Sequence, residues 1–298
     1  MINLSNFDKD VSLAEFTTYS IGGNADYYTV ATSSNDLVDA IVYARKNKIP
    51  YFVLGTGANI LIGDKGFRGL VVHNRTNRID IKNNIVTADS GVTIQELIET
   101  SSKLGLSGFE HFAGIPSSVG GAIRQNLHFL SPDRESTIFI ESIVRSANIL
   151  NTNNEIIKVD NNFFEFDYDD SILHYKEIIV LEVSFELKKK SANAIQEQIK
   201  ANLAWRNAKQ PQLKDFPSCG SVFKKIQGVG AGRLIEQSSL KGKRVGGAMV
   251  SYKHANYIVN MGDATAKDVR DLIELVQKEV ERKTGYSLEP EIGFVGEF

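Results

Sequence analysis

Residues 112–122, Phe-Ala-Gly-Ile-Pro-Ser-Ser-Val-Gly-Gly-Ala, constrain the fold of this chain more than any other stretch. Gly114 and Pro116 break regular structure. Ser117 and Ser118 are residue types that cap a helix, and Gly120-Gly121 on that helix leave no side chain in the way of a close neighbour. A helix start of this kind leaves backbone N–H groups pointing at whatever lies above them, which is a ready anion site suited to a phosphate or pyrophosphate. Two glycines in the first turns cost about 1 kcal/mol each relative to alanine, so a close approach by another part of the chain is expected there. The plain alternative is a tight Gly-rich turn before an ordinary helix.

A second Gly-rich loop, Gly55-Thr56-Gly57-Ala58-Asn59, follows the apolar strand 51–54. It is not a dinucleotide fingerprint, because no glycine stands at the third fingerprint position and an apolar Ile60-Leu61 pair follows. Its glycines still allow backbone N–H groups to approach a phosphate chain, unless it is simply a strand-to-strand loop. With 298 residues, the chain is long enough for two or three modules. At 42% hydrophobic and 23% charged residues it has the composition of a globular protein. A formal net charge of −2 argues against a general nucleic-acid binder. One cysteine, Cys219, cannot form an internal disulfide and fits a reducing compartment. The first residues lack a basic stretch followed by an apolar core, so no export signal is expected, and no apolar run is long enough for a membrane span.

The periodicities give the remaining elements. A strand over 25–32 leads to a helix capped by Ser33 or Ser34, with Leu37, Ile41 and Ala44 on one face. After strands 51–54 and 70–72 come a hairpin over 79–88 turning at Asn83-Asn84, and a helix from about 93. Strands 143–150, 156–159 and 178–187 follow, then helices over 192–208, 231–239 and 265–284. The long helix carries Val269, Leu272, Ile273, Val276 and Val280 as its buried stripe, with Gly285 as its C-cap. Strands are also expected over 246–251, 255–260 and 287–296. The resulting division is 1–75, 76–190 and 191–298, the last boundary drawn at Lys188-Lys189-Lys190.

Seven stretches then stand in one order: Thr17-Thr18…Gly22-Gly23, Leu54–Leu61, Gly114–Ala122, Gly220-Ser221-Val222-Phe223-Lys224, Ala231–Gln237, Lys253–Asn260 and Leu288-Glu289-Pro290-Glu291. In this the chain closely resembles the UDP-N-acetylenolpyruvoylglucosamine reductase family, in its shorter form. The resemblance implies an α+β protein: an FAD-binding fold of the vanillyl-alcohol-oxidase-like type, made of two α+β domains, plus a C-terminal α+β substrate domain. It implies FAD as prosthetic group, NADPH as co-substrate, a UDP-sugar as substrate, and a cytoplasmic monomer that makes peptidoglycan precursor and uses neither metal, membrane nor nucleic acid. Carried over residue by residue, it makes Ser221 the proton donor and Glu291 the catalytic glutamate, with Lys224 and Arg206 as substrate contacts. The flavin contacts it implies are Gly55, Thr56, Gly57, Ala58, Asn59, Ile60, Gly91, Gly114, Ile115, Pro116, Ser117, Ser118, Gly120, Gly121 and Ala122. Without the resemblance Ser221 reads as a turn serine, and Lys224 and Arg206 as surface charge.

The chain departs from the family pattern in three places. Asp169, in Tyr168-Asp169-Asp170-Ser171, stands where the family has an arginine that stabilises the enolate. Asn126-Leu127-His128-Phe129-Leu130-Ser131 replaces a run of small residues, and Gly293 replaces a common arginine. Either Arg124, Arg134 or His128 supplies the missing positive charge, or the chain is a diverged paralogue that binds FAD and reduces another substrate or none. A pure UDP-sugar binder has no need of the two Gly-rich loops.

Overall fold

The computed structural model describes residues 4–226 and 228–298. They form two compact units, each assembled from separated stretches of sequence. One holds residues 29–56 and 72–206; the other holds 4–28, 57–71 and 207–298. The division falls inside two strands, Asn24–Ala31 and Phe67–Asn74.

The first unit contains helices α1 (Ser34–Lys46), α2 (Ile94–Lys103), α3 (Val119–Arg124) and most of α4 (Ala192–Lys209). The Ser33 and Thr93 hydroxyls start α1 and α2 through reciprocal capping boxes with Asp36 and Glu96. Its main sheet has five antiparallel strands in the order Ile156–Asp160, Val144–Leu150, Ile179–Glu186, Ile85–Asp89, Ile79–Lys82. The last two form the expected hairpin, and Asn83 takes a left-handed φ of 58° at its turn. One face of this sheet buries Val86, Ala88, Val183 and Phe185 against Ile94, Leu97, Ile98, Val119 and Ile123 of α2 and α3. That packing fixes the start of α3.

In the second unit, α5 (Ala231–Gln237) and α6 (Ala266–Thr284) accompany an antiparallel sheet of Arg244–Val245, Ala248–Val250 and Ile258–Asn260. α6 has the expected stripe, with Val269, Leu272, Ile273, Val276 and Val280 all buried, and Gly285 caps it at φ 76°. A parallel pair joins Gly293–Val295 to Ile60–Ile62. The core of this unit also takes in Tyr19, Ile21, Leu61, Cys219, Val222 and Phe223.

The expected α+β class is what the chain forms. Several expected elements are shorter. The strand expected over 287–296 is confined to Gly293–Val295, and the strands expected over 246–251 and 255–260 are Ala248–Val250 and Ile258–Asn260. The helix expected over 231–239 ends at Gln237. In the missing part of the last strand the main chain bonds elsewhere, the Glu289 carbonyl accepting from Lys224 N–H and Glu291 N–H donating to the Val222 carbonyl. On α4 only Ile195 of the four apolar positions is buried; Ile199 and Trp205 pack partly against the core, and Leu203 is 38% exposed.

Candidate active site

In the first unit the two Gly-rich stretches meet. A Cβ on Gly55 would lie 2.4 Å from the Ser118 Oγ, and the Thr56 hydroxyl donates to the Pro116 carbonyl at 3.3 Å. Only glycine lets the end of strand Tyr51–Leu54 pass this close to the cap of α3. Ser118 is the N-cap, and its hydroxyl accepts from the Gly121 N–H.

The donors at this helix start differ from the expectation. Val119 N–H donates to the Val92 carbonyl and Gly120 N–H to the Ser90 carbonyl, both at 2.8 Å, so the first helical amides are taken by the strap before α2. A Cβ on Gly120 would lie 3.3 Å from that Ser90 carbonyl, which is the close approach expected of this glycine pair. Among the described residues, the amides of Ser117 and Ser118 have no acceptor, and they are the donors left for an anion. Pro116 lies ahead of the cap rather than inside the first turn.

The strap itself is held from below. Asn74 Nδ2 donates to Ser90 Oγ at 2.8 Å, its Oδ1 accepts from the Thr76 hydroxyl at 2.8 Å, and Thr76 Oγ1 accepts from Gly91 N–H at 3.0 Å. A Cβ on Gly91 would lie 2.5 Å from the Thr76 carbonyl. His73, in the same strand as Asn74, is buried. That burial, with the charge of Arg75, pulls its imidazole down to about 4 against a hydrogen bond to the Gly55 backbone, so it is neutral at pH 7. No local pattern singles out His73, Asn74 or Thr76, because they support the loops rather than form them.

Arg206, on α4, borders this site at Gly114. Gly114 has φ 82°, and a Cβ on it would lie 3.1 Å from Arg206 Nε. The Arg206 guanidinium carbon is 5.4 Å from the centroid of Phe129. Arg134 packs against the same ring at 5.6 Å and donates to Asn202 Oδ1 at 3.0 Å.

Asp169 is not an isolated carboxylate. It sits at φ 54° in a tight turn closed by Asp167 and Asp170, and its Oδ1 is 3.5 Å from His128 Nδ1. The His128 ring packs against Tyr168 and Phe139, at 4.7 and 5.1 Å, and those two rings also touch each other. Two of the three departures from the family pattern therefore touch. Arg124 donates to the Leu173 carbonyl; burial pulls its guanidinium below the usual arginine range, and the Asp170 carboxylate opposes that fall.

The second unit assembles the expected catalytic residues. Residues 222–224 pair with 289–291: Lys224 N–H donates to the Glu289 carbonyl at 2.8 Å, and Glu291 N–H to the Val222 carbonyl at 2.9 Å. Phe223 and Pro290 form the bridge between them. Ser221 precedes this ladder on one side, and Glu291 ends it on the other. Asn256 supports the ladder from its other edge. Its carbonyl accepts from Val222 N–H at 2.8 Å, its Oδ1 from Phe223 N–H at 3.0 Å, and its Nδ2 donates to the Phe223 carbonyl at 2.9 Å. Gly220, at φ 89°, sets the turn into Ser221, and a Cβ there would meet no atom within 4 Å, so the backbone angle alone calls for glycine.

Asn59 ties the loop to the same ladder: its Nδ2 donates to the Glu291 carbonyl at 3.2 Å, and its own carbonyl accepts from Gly293 N–H at 2.9 Å. Gly57, at φ 62°, is clamped by the first motif. Its carbonyl accepts from Thr18 N–H at 3.1 Å, and a Cβ would lie 2.2 Å from the Phe16 carbonyl. Beneath Ser221, Cys219 is buried against the fully buried Tyr19, whose hydroxyl donates to the Ile258 carbonyl at 3.0 Å. Burial pushes the Cys219 thiol up to about 12, and the Glu291 carboxylate adds to the rise, so the thiol is protonated and inert.

The Gly-lined turn at Gly55, the open amides of Ser117 and Ser118 and the Thr56 hydroxyl suit a diphosphate-bearing cofactor. The comparisons agree. Residues 25–160 match an FAD-binding domain, and residues 210–295 match the C-terminal domain of UDP-N-acetylenolpyruvoylglucosamine reductase. The chain is thus a flavin-binding oxidoreductase of two-part design. It is 36% identical over its whole length to the UDP-N-acetylenolpyruvoylglucosamine reductase of Clostridium novyi, covering 94% of that protein. It is 38% identical to that of Caldicellulosiruptor bescii over 98% of its own length and 91% of the relative. The crystal structure of the reductase from Thermus caldophilus superposes with a TM-score of 0.81, at 29% identity, over 97% of this chain and 98% of that one. The chain belongs to the UDP-N-acetylenolpyruvoylglucosamine reductase family. The relatives favour the reductase reading over the diverged paralogue, and the expected flavin fold followed by a C-terminal domain stands.

Proposed function

We infer that this protein reduces UDP-N-acetylglucosamine enolpyruvate to UDP-N-acetylmuramate with NADPH, in peptidoglycan precursor synthesis. FAD, when bound, supplies the hydride chemistry, accepting from NADPH and donating to the enolpyruvyl double bond. The chain's own part is to hold the groups and move one proton. Gly55, Thr56, Gly57, Ala58, Asn59, Ile60, Gly91, Gly114, Ile115, Pro116, Ser117, Ser118, Gly120, Gly121 and Ala122 hold the cofactor. Ser221 gives a proton to the carbon next to the one that receives hydride, and Glu291 completes the catalytic pair. Arg206 and Lys224 meet anionic groups of the UDP-sugar. In this reading segments 1–75 and 76–190 serve the flavin and 191–298 serves the sugar, and the enzyme works as a cytoplasmic monomer without metal or nucleic acid.

The observation that carries this reading is the ladder of 222–224 with 289–291, which brings the end that bears Ser221 to the end that bears Glu291 across about seventy residues of sequence. A hydroxyl is a weak acid and must be held close to the developing carbanion to act. The ladder and Asn256 provide that rigidity. Ser221→Ala tests it. Bleaching of the flavin by NADPH should persist, while reoxidation by the enolpyruvyl UDP-sugar should slow by a factor of about 100 or more, the general-acid range. Equal loss of both half-reactions would point to a structural role for Ser221 instead.

A further inference from the structure

Lys224 and Glu289 form an ion pair that the ladder itself imposes. Lys224 Nζ lies 2.5 Å from Glu289 Oε1, and the two main chains are joined opposite each other by the bond from Lys224 N–H to the Glu289 carbonyl. With both backbones fixed, a carboxylate stays within reach of the ammonium whatever else approaches. Glu289 is nonetheless 71% exposed and Lys224 41% exposed, so the pair is wet and weak enough to open.

We propose that Glu289 is a specificity-determining residue. Its carboxylate occupies the Lys224 ammonium until an anionic group of the substrate displaces it. This rests on the reading of Lys224 as a substrate contact. A tethered carboxylate competes at high effective concentration with any ligand anion. A ligand wins when it brings a more strongly charged group, such as a phosphate, or a carboxylate held in place by the rest of a bound sugar. A neutral analogue, or a small free monoanion, does not. The pair thus filters ligands by charge at the strand next to Ser221 and costs little affinity for the proper substrate.

The test is steady-state kinetics of the FAD-loaded enzyme with Glu289→Gln, Glu289→Asp and Lys224→Gln. Glu289→Gln keeps the size of the side chain and removes the competing charge. It should lower KM for the enolpyruvyl UDP-sugar about two- to fivefold, the range an exposed ion pair is worth, with kcat changed less than twofold. Glu289→Asp keeps the charge on a shorter arm and should fall between the two. An unchanged or raised KM in Glu289→Gln overturns the proposal, because a merely structural glutamate would cost stability and kcat without improving KM.

Lys224→Gln separates the role of Lys224 from that of Glu289. If it leaves KM unmoved, Lys224 is not a substrate contact and the underlying reading fails. If it raises KM while Glu289→Gln does not lower it, only the role of Glu289 fails. UDP as a competitive inhibitor identifies the displacing group. A diphosphate at Lys224 makes UDP bind more tightly to Glu289→Gln, whereas an enolpyruvyl carboxylate there changes KM and leaves UDP inhibition as it was.

Discussion

Asn256 grips Phe223 with both ends of its side-chain amide, accepting from the Phe223 N–H at 3.0 Å and donating to the Phe223 carbonyl at 2.9 Å. The amide is buried and acts as one extra strand residue alongside the segment that follows Ser221. Asn256→Ala leaves both Phe223 groups without partners, which should lower unfolding free energy by about 1–3 kcal/mol. Reoxidation of reduced flavin by the sugar should fall more than reduction by NADPH. Denaturant titration and stopped-flow absorbance measure the two effects. A variant that is less stable but keeps full reoxidation would show that Asn256 has no part in placing Ser221.

Gly55 and Ser118 make a second prediction. In Gly55→Ala the new methyl must push the Ser118 hydroxyl from 2.4 Å away, and that hydroxyl also caps α3. Loss of such a cap costs about 1 kcal/mol, so the variant should fold, lose flavin on gel filtration and regain colour only at raised FAD. Gly57→Ala should be far worse: its methyl meets the Phe16 backbone carbonyl at 2.2 Å, on a residue with φ 62°.

His73 predicts a pH effect. Its folded value is about 4 against an ordinary 6.5, so the unfolded chain takes up the proton first as pH falls. Stability is unaffected above the unfolded value and should decline from about pH 6.5 down to about 4. His111 and His254 are lowered as well, and their burial gives the same sign. The informative quantity is therefore the difference between the wild type and His73→Asn. The variant should show a shallower loss across that window in denaturant titrations. Parallel curves would contradict the assignment.

Helix ends that carry a capping residue are legible in the sequence because the signal is local. Ser33 caps α1, and Gly285 adopts the left-handed C-cap of α6, as the sequence indicated. The strand expected over 287–296 falls short because its alternation resembles a strand, yet much of it is an irregular run bonded to 222–224 and to Asn59. Motifs disclose the site residues but not their partners. Glu289 with Lys224, Asn59 with Glu291 and Tyr19 with Ile258 are joined across 65 to 239 positions, and no local periodicity records such pairings. Asp169 and His128 are each visible as departures; their contact is not.

That contact is testable by a double-mutant cycle. His128→Ala, Asp169→Asn and the double variant should be non-additive in unfolding free energy by about 0.5–1 kcal/mol, as expected for groups in direct contact. Strict additivity would make the 3.5 Å approach incidental. If the pair also offsets the missing arginine, the double variant should recover part of the turnover that His128→Ala loses.

The chain runs both half-reactions with Asp169 in place. An anaerobic visible spectrum of the FAD-loaded protein measures this directly, with NADPH added first and the enolpyruvyl UDP-sugar second. The flavin band should bleach with NADPH and return with the sugar. A band that bleaches and stays bleached, with the sugar present in excess, would contradict it.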